Sequence, residues 1–371
     1  MPMLTKTPSE PATTSGVTQR VKRPRDPRLD VFRGVGMLII LLAHVPNDHW
    51  ALWIPARFGF SDATEMFVFL SGMASAIAFG RLFDREGIVM LSARVVQRIW
   101  QIYWSHICVF LVIATLMAFA GNKPDGTSYI QSLNLVRLFD EPAPLLVGLM
   151  TLTYVPNYFD ILPMYMVILA LMPVMLLAER INRYLPLLLM TLLWLTAQFS
   201  LVHLPAEPWS DRPWFFNPFG WQFIFFLGFF LMRGTIVSPP DTRWLMALAI
   251  AVVLATVPFA WYMILDASAF FRQAAHALQP LTDKTTFGLL RLIHFVALAY
   301  IAFHAVGTGG HRLIHPRIYP ATRVLMKVGQ QSLAVFTTGM VVAQMIGIWL
   351  DHVGRTPLWT ALANLTGFAL L

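Results

Sequence analysis

Apolar stretches near the length of a bilayer crossing follow one another along most of the chain. They lie at 29–48, 59–80, 99–120, 160–178, 184–202, 218–233, 244–265, 288–306 and 326–350. A helix crosses the ~30 Å hydrocarbon layer with about 20 apolar residues, so each is predicted to be a transmembrane helix. A further apolar run, 357–371, is shorter. The pattern predicts an all-α, polytopic bundle of about ten spans. Three longer polar breaks interrupt it. Residues 121–159 contain the apolar PLLVGLMTLTYVPNYFD, broken by Pro142, Pro144 and Pro156, and predict a re-entrant or interfacial segment. Residues 203–222 interleave Trp209, Trp214 and Trp221 with Asp211 and Asn217, and 266–287 predict a short amphipathic helix. Residues 81–98 read as a basic loop.

Composition narrows the class. Of 371 residues, 57% are apolar and 12% charged, whereas a soluble domain carries roughly a quarter charged. The single cysteine, Cys108, excludes an intrachain disulfide and a cysteine metal cluster, and no metal is expected. Residues 1–28 form a polar, Pro/Ser/Thr-rich basic stretch without an apolar h-region, expected to be a disordered cytoplasmic tail and not a signal peptide. Residues 29–371 then make up the membrane domain. The net charge of +8 does not point to nucleic acid, because the basic residues sit in short breaks between spans. Counted by alternate loops, 19 of the 27 Lys and Arg fall on the side of the N-terminus, which places that terminus in the cytoplasm.

Charge inside the first two spans is the candidate chemistry, since ionisable residues at membrane depth mark functional sites. Arg33 and His44 are eleven residues apart, three helical turns plus roughly 20°, so they share one face about 16 Å apart along the axis. Asp30 lies one turn before Arg33 and is expected to pair with it. Asp62 and Glu65, at i and i+3, point the same way, and an antiparallel second span brings them to the depth of His44. Gly72, Ala76 and Gly80 recur every four residues and permit close helix packing. This predicts a histidine base set by a carboxylate, with Glu65 the orienter and Asp62 the runner-up. Each residue also has an ordinary use: His44 as a packing hydrogen bond, Arg33 snorkelling to the surface, and the two carboxylates capping their own helix. His106, His294 and His304 are expected to serve packing or helix–helix hydrogen bonds.

RLDVFRG, a histidine eleven residues after Arg33, and FVFLSG resemble the transmembrane acyltransferase superfamily, with its Arg/Lys-x10-His signature on the first span. More narrowly, RDPRLDVFRG with FGFSDATEMFVFLSG resembles the OpgC family, which succinylates osmoregulated periplasmic glucans. LTYVPNYFDILPMY, FNPFGWQF and GQQSLAVF extend the likeness over residues 25–345. The resemblance implies an O-acyltransferase of the bacterial inner membrane, taking a succinyl group from cytoplasmic succinyl-coenzyme A to periplasmic glucan hydroxyls, with no permanently bound cofactor. It makes His44 catalytic and Arg33 donor-side. The superfamily's Arg-x-x-Arg pair is matched by Arg94 and Arg98, spaced by four.

Arginines suit the phosphates of coenzyme A because guanidinium binds phosphate in a planar fork, so Arg33, Arg94 and Arg98 are assigned to the donor. Arg57 is the expected partner of the succinyl carboxylate. Flat aromatics beside amides and carboxylates suit sugars, which assigns Tyr154, Asn157, Asp160, Trp214 and Asn217 to the acceptor. Two other functions fit the same residues: a sibling enzyme with another acyl donor and polysaccharide, and a secondary transporter of glucans or an organic anion. The absence of an internal repeat counts against the transporter.

Overall fold

A computed structural model describes residues 26–371; most of the predicted tail lies outside the described residues. The helices in order are α1 (Pro27–His44), α2 (Ala63–Ser75), α3 (Arg81–Ala120), α4 (Tyr129–Ser132), α5 (Val136–Asp140) and α6 (Pro142–Thr151). They continue with α7 (Ile161–Ile181), α8 (Leu185–Gln198), α9 (Pro218–Arg233), α10 (Arg243–Thr256), α11 (Tyr262–Ala267) and α12 (Ala269–Ala277). The last are α13 (Gln279–Thr282), α14 (Leu289–Ala305), α15 (Tyr319–Gln330), α16 (Ser332–Val353) and α17 (Pro357–Leu370). Among the described residues β-structure is limited to two isolated bridges, Asn122 with Ser128 and Pro205 with Pro213. The protein is all-α.

Local chemistry sets the helix ends. Asp26 caps α1 by accepting from Arg28 N at 3.0 Å, and Pro27 fills the first turn, where its missing N–H costs nothing. α1 stops at His44 because Val45 turns extended before Pro46. Asn217 and Pro218 start α9 in the same way, and Gly234, at φ +80, ends it. The predicted loop 81–98 is mostly helical: a π-helical turn at Ala76–Gly80 joins α2 to α3, and Gly87, at φ +78, kinks α3 near its start. Residues 266–287 hold the short α12 and α13, and 121–159 hold α4, α5 and α6.

Glycine decides how the bundle closes. α2 crosses α9 where a Cβ on Gly72 would overlap the Phe225 carbonyl, and one on Gly228 would overlap that of Phe69. α1 meets α15 in the same way, Gly34 against Leu325 and Gly329 against Asp30. Such approach of backbones is how membrane helices gain packing contacts that lipid cannot supply. The core between α2, α3, α7 and α9 is dense with aromatic side chains, among them Phe110, Phe225, Phe226, Phe229 and Phe230, all fully buried.

Large apolar side chains also cover the outside, including Val112, Phe119, Leu188, Leu254, Met345 and Leu365. Exposed apolar surface on that scale is costly in water and natural in lipid, and the chain is a membrane protein. By length and composition, Ala63–Ala120, Ile161–Ile181 and Ser332–Val353 are long and apolar enough to cross, and α14 with the 3-10 turn Thr308–Ile314 makes a fourth bent by 68°. α8, at 14 residues, rises only about 21 Å. α1 carries Arg28, Asp30 and Arg33 within its 18 residues. Length and composition therefore support three or four crossings among the described residues, fewer than the ten expected.

Candidate active site

His44 ends α1 with its side chain held by its own helix. Its Nδ1 lies 2.7 Å from the Ile40 carbonyl oxygen. A carbonyl only accepts, so Nδ1 carries the proton and Nε2 is left as the basic nitrogen of the neutral ring. Tyr158 packs edge-on to the imidazole at 5.1 Å between centroids and donates its hydroxyl hydrogen to Met340 O at 2.7 Å. Its backbone has φ +89, a region a side-chain-bearing residue rarely adopts. Strain of that kind gathers at functional sites.

His44 and Tyr158 border a cavity of about 220 Å³ with Asp62, Asp160 and Lys284. Asp160, 2% exposed, starts α7 and accepts from Phe215 N at 3.2 Å. Phe215, Phe216 and Phe336 join Tyr158 as the cavity's aromatic rings. Asp62 and Ala56 also line a second cavity, about 200 Å³, bordered by Ser61, Thr282 and Arg291. The first two spans thus bring His44 and Asp62 to one space, as their antiparallel run requires.

The two carboxylates take different parts. Asp62 caps α2, accepting from Thr64 N at 2.6 Å, and Glu65 returns a bond to Asp62 N at 2.8 Å, a complete capping box. The capping use, the ordinary alternative, is therefore real. Glu65 is fully buried and grips Arg291 of α14, with Nε at 2.7 Å and Nη2 at 2.5 Å. It does not border the His44 cavity, so the expectation that Glu65 orients His44 is corrected: Ile40 orients the ring. The reason is charge. A buried carboxylate needs a paired cation, and Arg291 is the one that packing delivers. Asp62 does border the cavity, and its Oδ2 holds Lys284 Nζ at 2.5 Å, with Arg291 Nη2 at 3.7 Å.

The other assigned residues scatter. Asp30, 8% exposed, accepts from Gln330 Nε2 at 2.9 Å, while Arg33 donates to the carbonyls of Leu70 at 3.0 Å and Gly329 at 3.5 Å. Arg33 thus ties α1 to α2 and α15, three turns from His44. Arg94 and Arg98 point along α3 to Gln97 and Gln101, at 2.5 and 3.1 Å. Arg57, on the 3-10 turn Pro55–Arg57, is exposed and donates to Ala51 O at 3.2 Å. It is not at the cavity, and the cation that is there is Lys284.

Among the acceptor residues only Asp160 reaches the cavity. Trp214, 4% exposed, packs with Val155 and Ala206 and presents no free face to a sugar. Tyr154 is buried against Phe110 and Trp209. Asn217 is spent on Phe219 N and Val202 O. Asn157 accepts from Arg212 at 2.7 Å, and Arg212 also holds Val155 O and Glu207, pinning the outward loop onto the segment that carries Tyr158 and Asp160. Burial pushes the Glu207 carboxyl up, but hydrogen bonds from Ser210 and Arg212 outweigh it and hold the group below its ordinary range.

Two residues of the site, Arg291 and Lys284, escaped sequence reasoning. Arg291 carried a readable signal, an arginine at the edge of an apolar run. Lys284 stood as one basic residue in a polar loop, and nothing in NYFD announces the backbone of Tyr158. Among the remaining histidines, His294 bonds Ser61 Oγ at 2.7 Å and His304 the Tyr300 carbonyl at 2.7 Å. His106 is fully buried.

The model of the family described as OpgC protein matches residues 25–371. The chain belongs to the OpgC family. No curated protein and no solved structure matches it. Membership puts the protein in the class of glucan-modifying acyltransferases.

Proposed function

We propose that the protein is a multi-pass inner-membrane O-acyltransferase that moves a succinyl group from cytoplasmic succinyl-coenzyme A to hydroxyls of periplasmic glucans. The observation that carries the reading is His44, a ring whose Nδ1–H donates to the Ile40 carbonyl and whose other nitrogen is basic, bordering a cavity with Asp62 and Asp160. With the N-terminus cytoplasmic and about ten spans, counting the short helices as crossings, that cavity opens to the outward side. The donor enters from the opposite end, its phosphates on Arg33, Arg94 and Arg98, and its pantetheine arm covers the three turns to His44.

In the reaction a glucan hydroxyl oxygen attacks the thioester carbonyl carbon while Nε2 of His44 takes the hydroxyl proton. The carbon–oxygen ester bond forms and the carbon–sulfur bond breaks. The thiolate leaves with the proton returned by the imidazolium, as free coenzyme A thiol. Asp62 and Asp160 stabilise the transient imidazolium from across the cavity, and the aromatic rings of Phe215 and Phe216 hold the acceptor sugar.

The test is purified protein in nanodiscs with succinyl-coenzyme A, with and without periplasmic-type glucan, following thiol release and glucan mass together. Coupled thiol release and a succinyl mass increment are expected. His44→Ala is expected to lower turnover by about 10²- to 10⁴-fold, the usual worth of a general base, with unchanged purification behaviour. Turnover in His44→Ala within threefold of the parent removes His44 from the reaction. No thiol release from any donor by folded protein refutes acyl transfer and favours transport.

A further inference from the structure

The wall of the His44 cavity is mainly apolar, with Ile39, Ile54, Ile161 and Phe336 among its members, and of the described residues lining it Lys284 is the one cation. Holding an ammonium beside apolar walls is unfavourable unless it is paired, and here Asp62 supplies the pair. The segment that carries it is built rigidly. Trp221 Nε1 donates to the Lys284 carbonyl at 2.9 Å, and Asp283 accepts from Thr286 N at 2.7 Å and Thr286 Oγ1 at 2.8 Å. The backbone is therefore fixed and only the side chain is free to adjust.

Neutralising Asp62 does not account for all of this lysine. An ammonium has three N–H donors, and the Asp62 bond at 2.5 Å uses one. The Phe216 ring lies 5.7 Å from Nζ, a cation–π contact that needs none of them. The Lys284 side chain keeps 30% of its surface exposed, against 14% for Asp62. Asp62 also accepts from Thr64 N at 2.6 Å, and Nζ can keep its bond to Asp62 while its other N–H groups meet a ligand. A second anion entering this space finds its donors ready.

We propose that Lys284 binds a carboxylate at the far end of the transferred acyl group, so that the cavity selects a dicarboxylic half-thioester over a plain acyl thioester. The inference rests on the acyl-transfer reading and assigns the group that sets its donor preference. The thioester carbonyl lies toward His44 and the distal carboxylate toward Nζ, joined by a two-methylene chain against the apolar wall. No covalent step at Lys284 is involved.

Succinyl- and butyryl-coenzyme A make the decisive pair, since they share chain length and differ by the terminal carboxylate. Each is assayed for thiol release with glucan, in the parent protein, Lys284→Met and Lys284→Arg. The parent is expected to prefer succinyl, and Lys284→Met to lower the ratio of the two kcat/KM values by about 10- to 100-fold, the range of a hydrogen bond to a charged group. Lys284→Arg is expected to restore part of that ratio. An unchanged ratio in Lys284→Met, with both donors falling together, overturns the inference, because Lys284 then acts only by holding Asp62. A parent that treats the two donors alike also overturns it while leaving acyl transfer standing. Thiol release from neither donor, by folded parent protein, fails the acyl-transfer reading itself.

Discussion

The buried pair of Glu65 and Arg291 separates a structural role from a catalytic one and can be tested as such. Glu65 is fully buried, takes two guanidinium N–H groups at 2.7 and 2.5 Å, and accepts from Asp62 N at 2.8 Å. Truncating Arg291 to Ala strands a buried carboxylate with one backbone donor, which costs about 3–5 kcal/mol. Truncating Glu65 strands a guanidinium whose next carboxylate, Asp62, is 3.7 Å away, and costs about as much. Removing both in Glu65→Leu/Arg291→Leu leaves no uncompensated charge. What remains is the Asp62 N–H without its acceptor, about 1–3 kcal/mol. The double variant is thus expected to be more stable than either single one, with a coupling energy of at least about 3 kcal/mol.

Reversible unfolding in mixed micelles, read by tryptophan fluorescence, measures all four corners of that cycle. Additive losses, with the double variant as unstable as the sum of the singles, refute the pairing. A second readout is thiol release at saturating donor and acceptor. Because Ile40 orients His44, the double variant should keep turnover to within about tenfold, well short of the loss expected for His44→Ala. A collapse equal to that of His44→Ala, in folded protein, returns Glu65 to the role of orienter.

Two further outcomes follow from particular contacts. Gly72→Ala places a methyl group in the Phe225 carbonyl, so α2 and α9 must separate; the variant is expected to lose its monodisperse peak in size-exclusion chromatography, and parent-like elution would show that the crossing is looser than described. The Glu207 carboxyl, held below its ordinary value by Ser210 and Arg212, contributes stability that is complete above about pH 4.5 and is lost as pH falls through the lower folded value. Glu207→Gln should flatten the acid side of the stability profile and speed proteolysis of the loop around Arg212; a profile identical to the parent's would refute that clamp.

Much of the local structure was legible in the chain. The capping residues Asp62 and Glu65 and the shared face of Arg33 and His44 are each properties of one helix, and the helical repeat carries them without reference to anything else; the start of α1 at Pro27 was missed, because Asp26 to Arg28 read as the end of the tail. Apolar composition likewise made the protein a membrane protein before any helix was placed. The reading failed where the answer lay on another helix. Glu65 finds Arg291 across 226 positions and Asp62 finds Lys284 across 222, and no period along the chain relates such residues. The bundle's glycine crossings decide which side chains meet. Packing between elements distant in the chain set Glu65 against Arg291 of α14 and Trp214 against Val155 and Ala206. Helix length belongs with these. Apolar runs that look alike in sequence became the 22-residue α16 in one place and the 14-residue α8 in another. What the sequence determined by itself was which residues carry charge into an apolar helix. Only tertiary structure decided what each charge is paired with, because pairing is set by backbone approach between elements and not by order along the chain.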